Sequence, residues 1–280
     1  MNRRAFLGLG AAFPYHLLAS DKKKSATDRI KLGPMNVEVS RLAQGSGTNG
    51  SGGSSNQTKK LGVQGLADLY RAAYDQGITL FDTADQYGTH PHVKLALQSL
   101  KRENITVLTK TRASTEKEMR ADLDRFRREL GTDYLDIVLL HCMMDDDWTD
   151  RKKGAMTVLA EAREKGIVRT HGTSCHTLGA LKLAAKTPWV QVDLARINPA
   201  QAHMDADPAT VLAVLRQMKD AGKGVIGMKI LGAGKLRGNV DQALQFALAQ
   251  DVVDCFTIGA ESRTEMEDLV RKIPAASVRG

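Results

Sequence analysis

Two hydrophobic periods alternate along the chain. Eight short runs rich in β-branched residues fall at Arg41–Gly47, Ile78–Ala84, Ile105–Thr111, Asp136–Cys142, Ile167–Ser174, Trp189–Arg196, Gly224–Leu231 and Val253–Gly259. Their final residues lie 22 to 37 positions apart, room for one strand–helix unit each time. The intervals carry a helical period with defined ends. Thr115 and Glu118 form a capping box, Met119, Leu123, Phe126 and Leu130 share one face, and Gly131 stops the helix. Asp207-Pro208 starts another, with Val211, Val214, Leu215 and Met218 facing inward and Gly222 ending it. Ser262 and Glu265 open the last, which carries Met266, Leu269, Val270 and Ile273. Eight strands alternating with helices predict a parallel sheet, and the count favours a closed (β/α)8 TIM barrel. An open doubly wound sheet is the alternative, but it usually shows a glycine fingerprint running into a helix after its first strand. Here Gly45-Ser46-Gly47 leads into Gly50–Ser55, which reads as a mobile, solvent-facing loop. Before the barrel, Arg29–Leu32 and Val37–Val39 flank Gly33-Pro34-Met35-Asn36, a hairpin that would close the barrel bottom.

Composition narrows the picture. At 280 residues and 42% hydrophobic, the chain suits one large domain and excludes disorder as its main state. No apolar run approaches the roughly 20 residues needed to span a bilayer. Three cysteines, Cys142, Cys175 and Cys255, cannot make a disulfide framework and form no C-x-x-C pair; Cys142 and Cys175 both fall near the barrel's top rim, where a redox-sensitive pair is conceivable. The net charge of +8 hints at nucleic acid, but residues 1–27 alone hold five bases and one acid, or +4. The remainder has no dense basic run, and 5% aromatics offer no base-stacking platform. In the leader, Arg3-Arg4 followed by Phe6-Leu7 and a weak apolar stretch resembles a twin-arginine export signal. Residues 1–27 are therefore expected to be a signal and linker, and 28–280 the barrel domain. That reading makes the export machinery a partner and the periplasm the destination. A monomer or small homo-oligomer is expected, with no membrane span and no nucleic-acid partner.

In a barrel the chemistry gathers where strands end. The second run ends Phe81-Asp82-Thr83-Ala84, with Tyr87 close behind; the third ends Thr109-Lys110-Thr111; the fourth ends Leu140-His141-Cys142. A lysine pointing into a barrel needs a counter-charge, and Asp82 on the neighbouring strand can supply it. An ammonium beside a phenol stabilises phenolate and lowers the phenol's pKa. Imidazole can orient a carbonyl oxygen. Together these groups can protonate an oxygen that gains negative charge as hydride arrives. His90 and His92, near His141 and Asp145–Asp147, raise a metal-dependent hydrolase as a competing reading.

The set resembles the aldo-keto reductase family. Gly77-Ile78-Thr79-Leu80-Phe81-Asp82-Thr83-Ala84-Asp85-Gln86-Tyr87-Gly88 is similar to its signature, Val107–Lys110 to its lysine strand, and Leu130–Asp136 with Leu139-Leu140-His141 to the segment before its histidine. The resemblance implies a nicotinamide cofactor, NADPH with NADH possible, and a small-molecule carbonyl substrate. It implies catalytic roles for Asp82, Tyr87 (proton donor), Lys110 and His141, with no metal. On the cofactor side it implies Gly47, Thr48, Ser174, Cys175, Gln191, Met228, Lys229, Leu231, Gly232, Gly234, Ser262, Arg263 and Glu267. Two positions depart: Cys175 stands where an asparagine usually holds the carboxamide, and Met228 where many members place an aromatic ring. Ser262 and Arg263 sit at a helix N-terminus suited to phosphate, which points to NADPH. A scaffold that holds the cofactor with little turnover is a second reading.

Overall fold

The computed structural model describes residues 23–277; the twin-arginine segment lies outside the described residues. An antiparallel hairpin, β1 (Arg29–Leu32) and β2 (Val37–Ser40), precedes eight strands: β3 (Leu42–Gly45), β4 (Leu80–Asp82), β5 (Thr106–Thr111), β6 (Leu135–Met143), β7 (Val168–Cys175), β8 (Val192–Arg196), β9 (Gly224–Met228) and β10 (Cys255–Ile258). These eight close into a parallel barrel in chain order, β10 pairing with β3. Between them run α1 (Asn56–Asp75), α2 (His90–Leu97), α3 (Glu116–Leu130), α4 (Trp148–Arg151), α5 (Lys153–Glu164), α6 (Leu178–Lys186), α7 (Pro208–Asp220) and α8 (Val240–Ala249), with α9 (Arg263–Ala276) last. The chain packs from Lys24 onward, earlier than residue 28: its backbone N–H donates to Ser277 Oγ, and Ala26 is buried.

The helix signals operate as physical chemistry requires. Thr115 and Glu118 close a reciprocal capping box, the four apolar residues of α3 are buried, and Gly131 ends the helix at φ 67°. Asp207 caps α7 through the Thr210 N–H. At α9 the box is shifted: Ser262 accepts from Glu265 N–H, while the Glu265 carboxylate takes the N–H of Glu261. Two apolar layers result. The outer one lies between strands and helices. The inner one joins Leu32, Val37 and Val39 of the hairpin to Leu80, Leu108, Leu139, Leu194 and Ile226 inside the barrel. The hairpin therefore plugs the N-terminal mouth, where Gly33 (φ 60°) passes so close that a Cβ would fall 2.9 Å from the Gln191 carbonyl.

This packing fixes where chemistry can stand. Side chains alternate faces along a strand. If Leu80, Leu108 and Leu139 point inward, so do Asp82, Lys110 and His141, two residues on and at the open mouth. The register carries the stagger of a tilted barrel: Asp82 pairs with Leu108, and Lys110 with Leu139.

Candidate active site

Asp82, Lys110, Tyr87 and His141 converge at the C-terminal mouth. Lys110 is 1% exposed and Asp82 6%, so their pairing decides whether the site can exist at all. The Lys110 ammonium donates to Asp82 Oδ1 and, at 2.9 Å, to the Thr83 carbonyl. Asp82 Oδ2 accepts from Thr257 Oγ1 at 2.8 Å, and the Asp82 carbonyl accepts from Ser46 and Tyr70. Burial works against the Lys110 charge, but Asp82 and Tyr87 outweigh it and hold the amine above its ordinary pKa.

Tyr87 ends a one-turn helix, Asp85–Tyr87, that Gly88 breaks in the left-handed region. Lys110 Nζ lies 4.9 Å from its ring centroid. Its hydroxyl is 3.5 Å from His141 Nε2, and the rings meet edge to face at 84°. The phenol is not lowered as the residue types suggested. Burial raises its pKa, and Lys110 offsets only part of that. His141 is driven down to about 2 by burial, helped by Lys110, His176, Arg112 and Lys229, so its imidazole is neutral. Its buried Nδ1 has no hydrogen-bond partner among the described residues.

The Gly50–Ser55 loop faces solvent at Ser51–Gly53, as expected, but it is tied by hydrogen bonds to its own base and to the turn that carries Tyr87. Gly50 N–H bonds to the Gly47 carbonyl, and Gly53 N–H to the Gln86 carbonyl. The loop closes over the Tyr87 ring: a Cβ on Gly47 would fall 2.2 Å from Cε2, and one on Gly50 2.3 Å from Cδ1. Beside it opens a cavity of about 390 Å³, lined by Gly47, Thr48, Met228, Lys229, Leu231 and Gly234 together with Asp82 and Tyr87. That volume is within the range of small-molecule sites.

A model described as the Aldo/keto reductase family matches residues 45–273. The chain belongs to the aldo-keto reductase family. It superposes on an aldo-keto reductase from Bacillus halodurans in its holo form, at TM-score 0.72 and 20% identity, covering 90% of this chain and 94% of the other. It also superposes on the glycerol dehydrogenase of Gluconobacter oxydans at TM-score 0.69 and 18% identity, covering 91% of both chains. These likenesses show the shared fold. In sequence, the Glycine max protein named "Probable aldo-keto reductase 1" is 40% identical over 84 residues, 29% of this chain. The match spans 23% of that relative's length.

Within this aldo-keto reductase, several cofactor positions fall elsewhere than the resemblance implied. Cys175 does not face the cavity. Thr173 pairs with Asp193 in an outward register, and two residues on the Cys175 thiol donates to Asp193 Oδ1 at 3.4 Å in the outer layer. Gln191 precedes β8 at the hairpin end of the barrel, where its Oε1 accepts from Thr170 Oγ1. Ser174 accepts the Cys142 N–H and so props the bulge after Leu140, where Cys142 has φ 64°. Gly232 (φ 58°) turns the chain after β9, packed against Ala202. Ser262 is an N-cap, and the exposed Arg263 is held by Glu267 at 2.7 Å, an i,i+4 ion pair on α9. Neither lines the cavity.

The histidines of the metal reading lie on α2, with Pro91 in its first turn. His90 bonds Glu129 and Thr109, both at 2.7 Å. Asp85, His90 and Glu129 bring ligand atoms within 4.8 Å of one another, but the Arg125 guanidinium already bonds both carboxylates. No described cluster joins His92, His141 and Asp145–Asp147. Cys142 and Cys175 are both free thiols. Sequence reading missed Thr257, whose signal was its inward position two residues past Cys255, and Gly50 against Tyr87; Gly47 was expected on the cofactor side and not against the ring.

Proposed function

We propose that this aldo-keto reductase reduces an aldehyde or ketone to the alcohol with NADPH, NADH being the alternative donor, and that Tyr87 supplies the proton. The observation that carries the reading is the convergence of Asp82, Tyr87, Lys110 and His141 beside one cavity. The cavity suits a dinucleotide: glycines and Leu231 leave room along one side, and the Lys229 amine, lowered by burial and by Arg196 and Lys110, has no carboxylate in ion-pair range among the described residues. A nicotinamide held there would contribute the hydride that the carbonyl carbon needs. The chain's own groups handle the oxygen. Burial keeps Tyr87 protonated at neutral pH, so the residue meets its substrate as an acid. As the proton leaves Oη, the Lys110 ammonium stabilises the phenolate, and Asp82 keeps that ammonium in place. Neutral His141 can donate from Nε2 to the same carbonyl oxygen.

Purified protein should oxidise NADPH with some member of a carbonyl panel, followed as loss of nicotinamide absorbance. Tyr87→Phe should lower turnover by about 100-fold or more, the usual worth of a general acid. Full activity in Tyr87→Phe would overturn the reading. Tight NADPH binding without turnover would favour the second reading, a cofactor-holding scaffold. We also propose export of the folded protein by the twin-arginine route. Replacing Arg3 and Arg4 by lysine should leave it in the cytoplasmic fraction, and unchanged fractionation would refute this.

A further inference from the structure

Arg112 follows β5, two residues past Lys110 and so on the same side of the chain, above the reacting pair. Its Nη1 reaches Gln86 Oε1 at 3.4 Å, next in sequence to Tyr87. Burial is what chiefly keeps His141 neutral, and the Arg112 charge adds to that. Lys152 sits behind it, donating to the Arg112 carbonyl at 2.7 Å and adding a second cation.

The local acids are already engaged. Asp82 holds Lys110, and Asp205 holds Arg196, whose guanidinium also donates to the His176 carbonyl. The cavity's other carboxylates come from the β10–α9 side. Glu261 meets Lys60, Arg237 and Asn56, Glu265 takes the Glu261 N–H, and Asp268 meets Arg271 and Lys272. Fourteen of the seventeen described arginines have a carboxylate within 4.0 Å. Arg112 is one of the three that do not. The other two, Arg128 and Arg163, lie on α3 and α5, on the outside of the barrel. The uncompensated arginine thus stands at the strand-end mouth against Gln86, the residue before Tyr87.

We propose that the carbonyl substrate is an anion, a carboxylate-bearing aldehyde or ketone whose carboxylate is held by Arg112 while its carbonyl meets Tyr87 and His141. The inference rests on the reductase reading and adds a substrate class to it. Guanidinium presents paired N–H donors that match a carboxylate, and a nearby neutral imidazole does not compete for the anion. Lys229, on the cofactor side of the cavity, is left for the cofactor's phosphates.

The test compares 4-carboxybenzaldehyde with its uncharged methyl ester, methyl 4-formylbenzoate, at saturating NADPH. The acid should be favoured in kcat/KM by about tenfold or more, as a charge-assisted hydrogen bond provides. The preference should shrink as salt is raised. Arg112→Gln should bring the ratio near one; Arg112 is exposed, and a thermal melt checks that the variant folds. Equal rates for the two aldehydes in the wild type, or a preference that survives in Arg112→Gln, would overturn the proposal. A binding arm separates it from the reductase reading. Calorimetric titration of NADPH-loaded protein with benzoate and with benzamide should show benzoate bound more tightly, and that difference should vanish in Arg112→Gln, whether or not any aldehyde turns over. Equal binding of the two, or no binding of either, would overturn the anion site.

Discussion

Gly50→Ala should damage catalysis without touching a polar group. The backbone at Gly50 is outside the left-handed region, so alanine can adopt it, and any cost must come from what the new methyl meets. It meets Tyr87: 2.3 Å to Cδ1, 2.8 Å to Cε1 and 3.0 Å to Cγ. Carbon atoms rest at about 3.5 Å, so ring and loop must separate by roughly 1.2 Å. The loop cannot absorb all of it, because Gly53 N–H is tied to the Gln86 carbonyl at 2.9 Å and Ser51 N–H to the Ser54 carbonyl at 2.9 Å. Nor can the ring slide freely the other way, since Gly47 backs its opposite edge. Part of the displacement must reach the phenol. A misplacement of about 1 Å in a reacting group can cost about 100-fold in rate. Overpacking should also lower stability by about 1–3 kcal/mol.

Steady-state kinetics at saturating NADPH should therefore show a large fall in kcat, with the NADPH dissociation constant nearly unchanged. The decisive comparison uses Tyr87→Phe as background. If Gly50 acts through the phenol, adding Gly50→Ala to Tyr87→Phe should cost far less than it does in the wild type. Gly52→Ala is the control. That glycine is at φ 58° with open space around it, so the change should strain the loop and leave turnover alone. A Gly50→Ala enzyme with wild-type kcat, or a loss that simply adds to that of Tyr87→Phe, would refute the reasoning.

Asp82→Asn should strip the counter-charge from a lysine that is 1% exposed and cost about 3–5 kcal/mol, read as a shift in denaturant midpoint; an unmoved midpoint would contradict the burial argument. Asp193→Asn probes linkage in the outer layer, where burial pushes the carboxyl up to about 7 and Oδ2 has no partner among the described residues. The folded state keeps that proton to about pH 7 while the unfolded chain releases it near 4, so stability should decline from pH 4 to 7 and level off above. The asparagine variant should flatten that slope in melts run across the range. Thr115→Ala removes a cap that accepts the Glu118 N–H and should lower stability by about 1 kcal/mol, measurable in the same melts.

Much of this was legible because it follows from period alone. The alternation of strand and helix signals predicted the barrel, and the ends of its strands predicted where Asp82, Lys110 and His141 collect. Local capping rules placed α3 and α7 almost residue by residue. What eluded the sequence depended on contacts between segments far apart. The phenol of Tyr87 rises in pKa because helices, loop and strands together exclude water from it, a property no short motif encodes. Gly50 looked like loop composition, and Gly47 like a cofactor neighbour, until the fold laid both against the ring, 37 to 40 positions along the chain.

The cofactor side shows the sharper limit, and parity explains it. Matching by motif aligned Cys175 with a carboxamide-binding position, yet a motif records spacing and not facing. β6 bulges after Leu140, and Ser174 is drawn into that bulge by the Cys142 N–H. With Ser174 paired to Leu194 on the inward side, the next residue must point outward, where Asp193 waits as acceptor. One residue of offset thus moves a candidate ligand from the cavity to the outer layer. Asp82 and Lys110 escaped this hazard because β4 and β5 run without a break from the leucines that fix their facing.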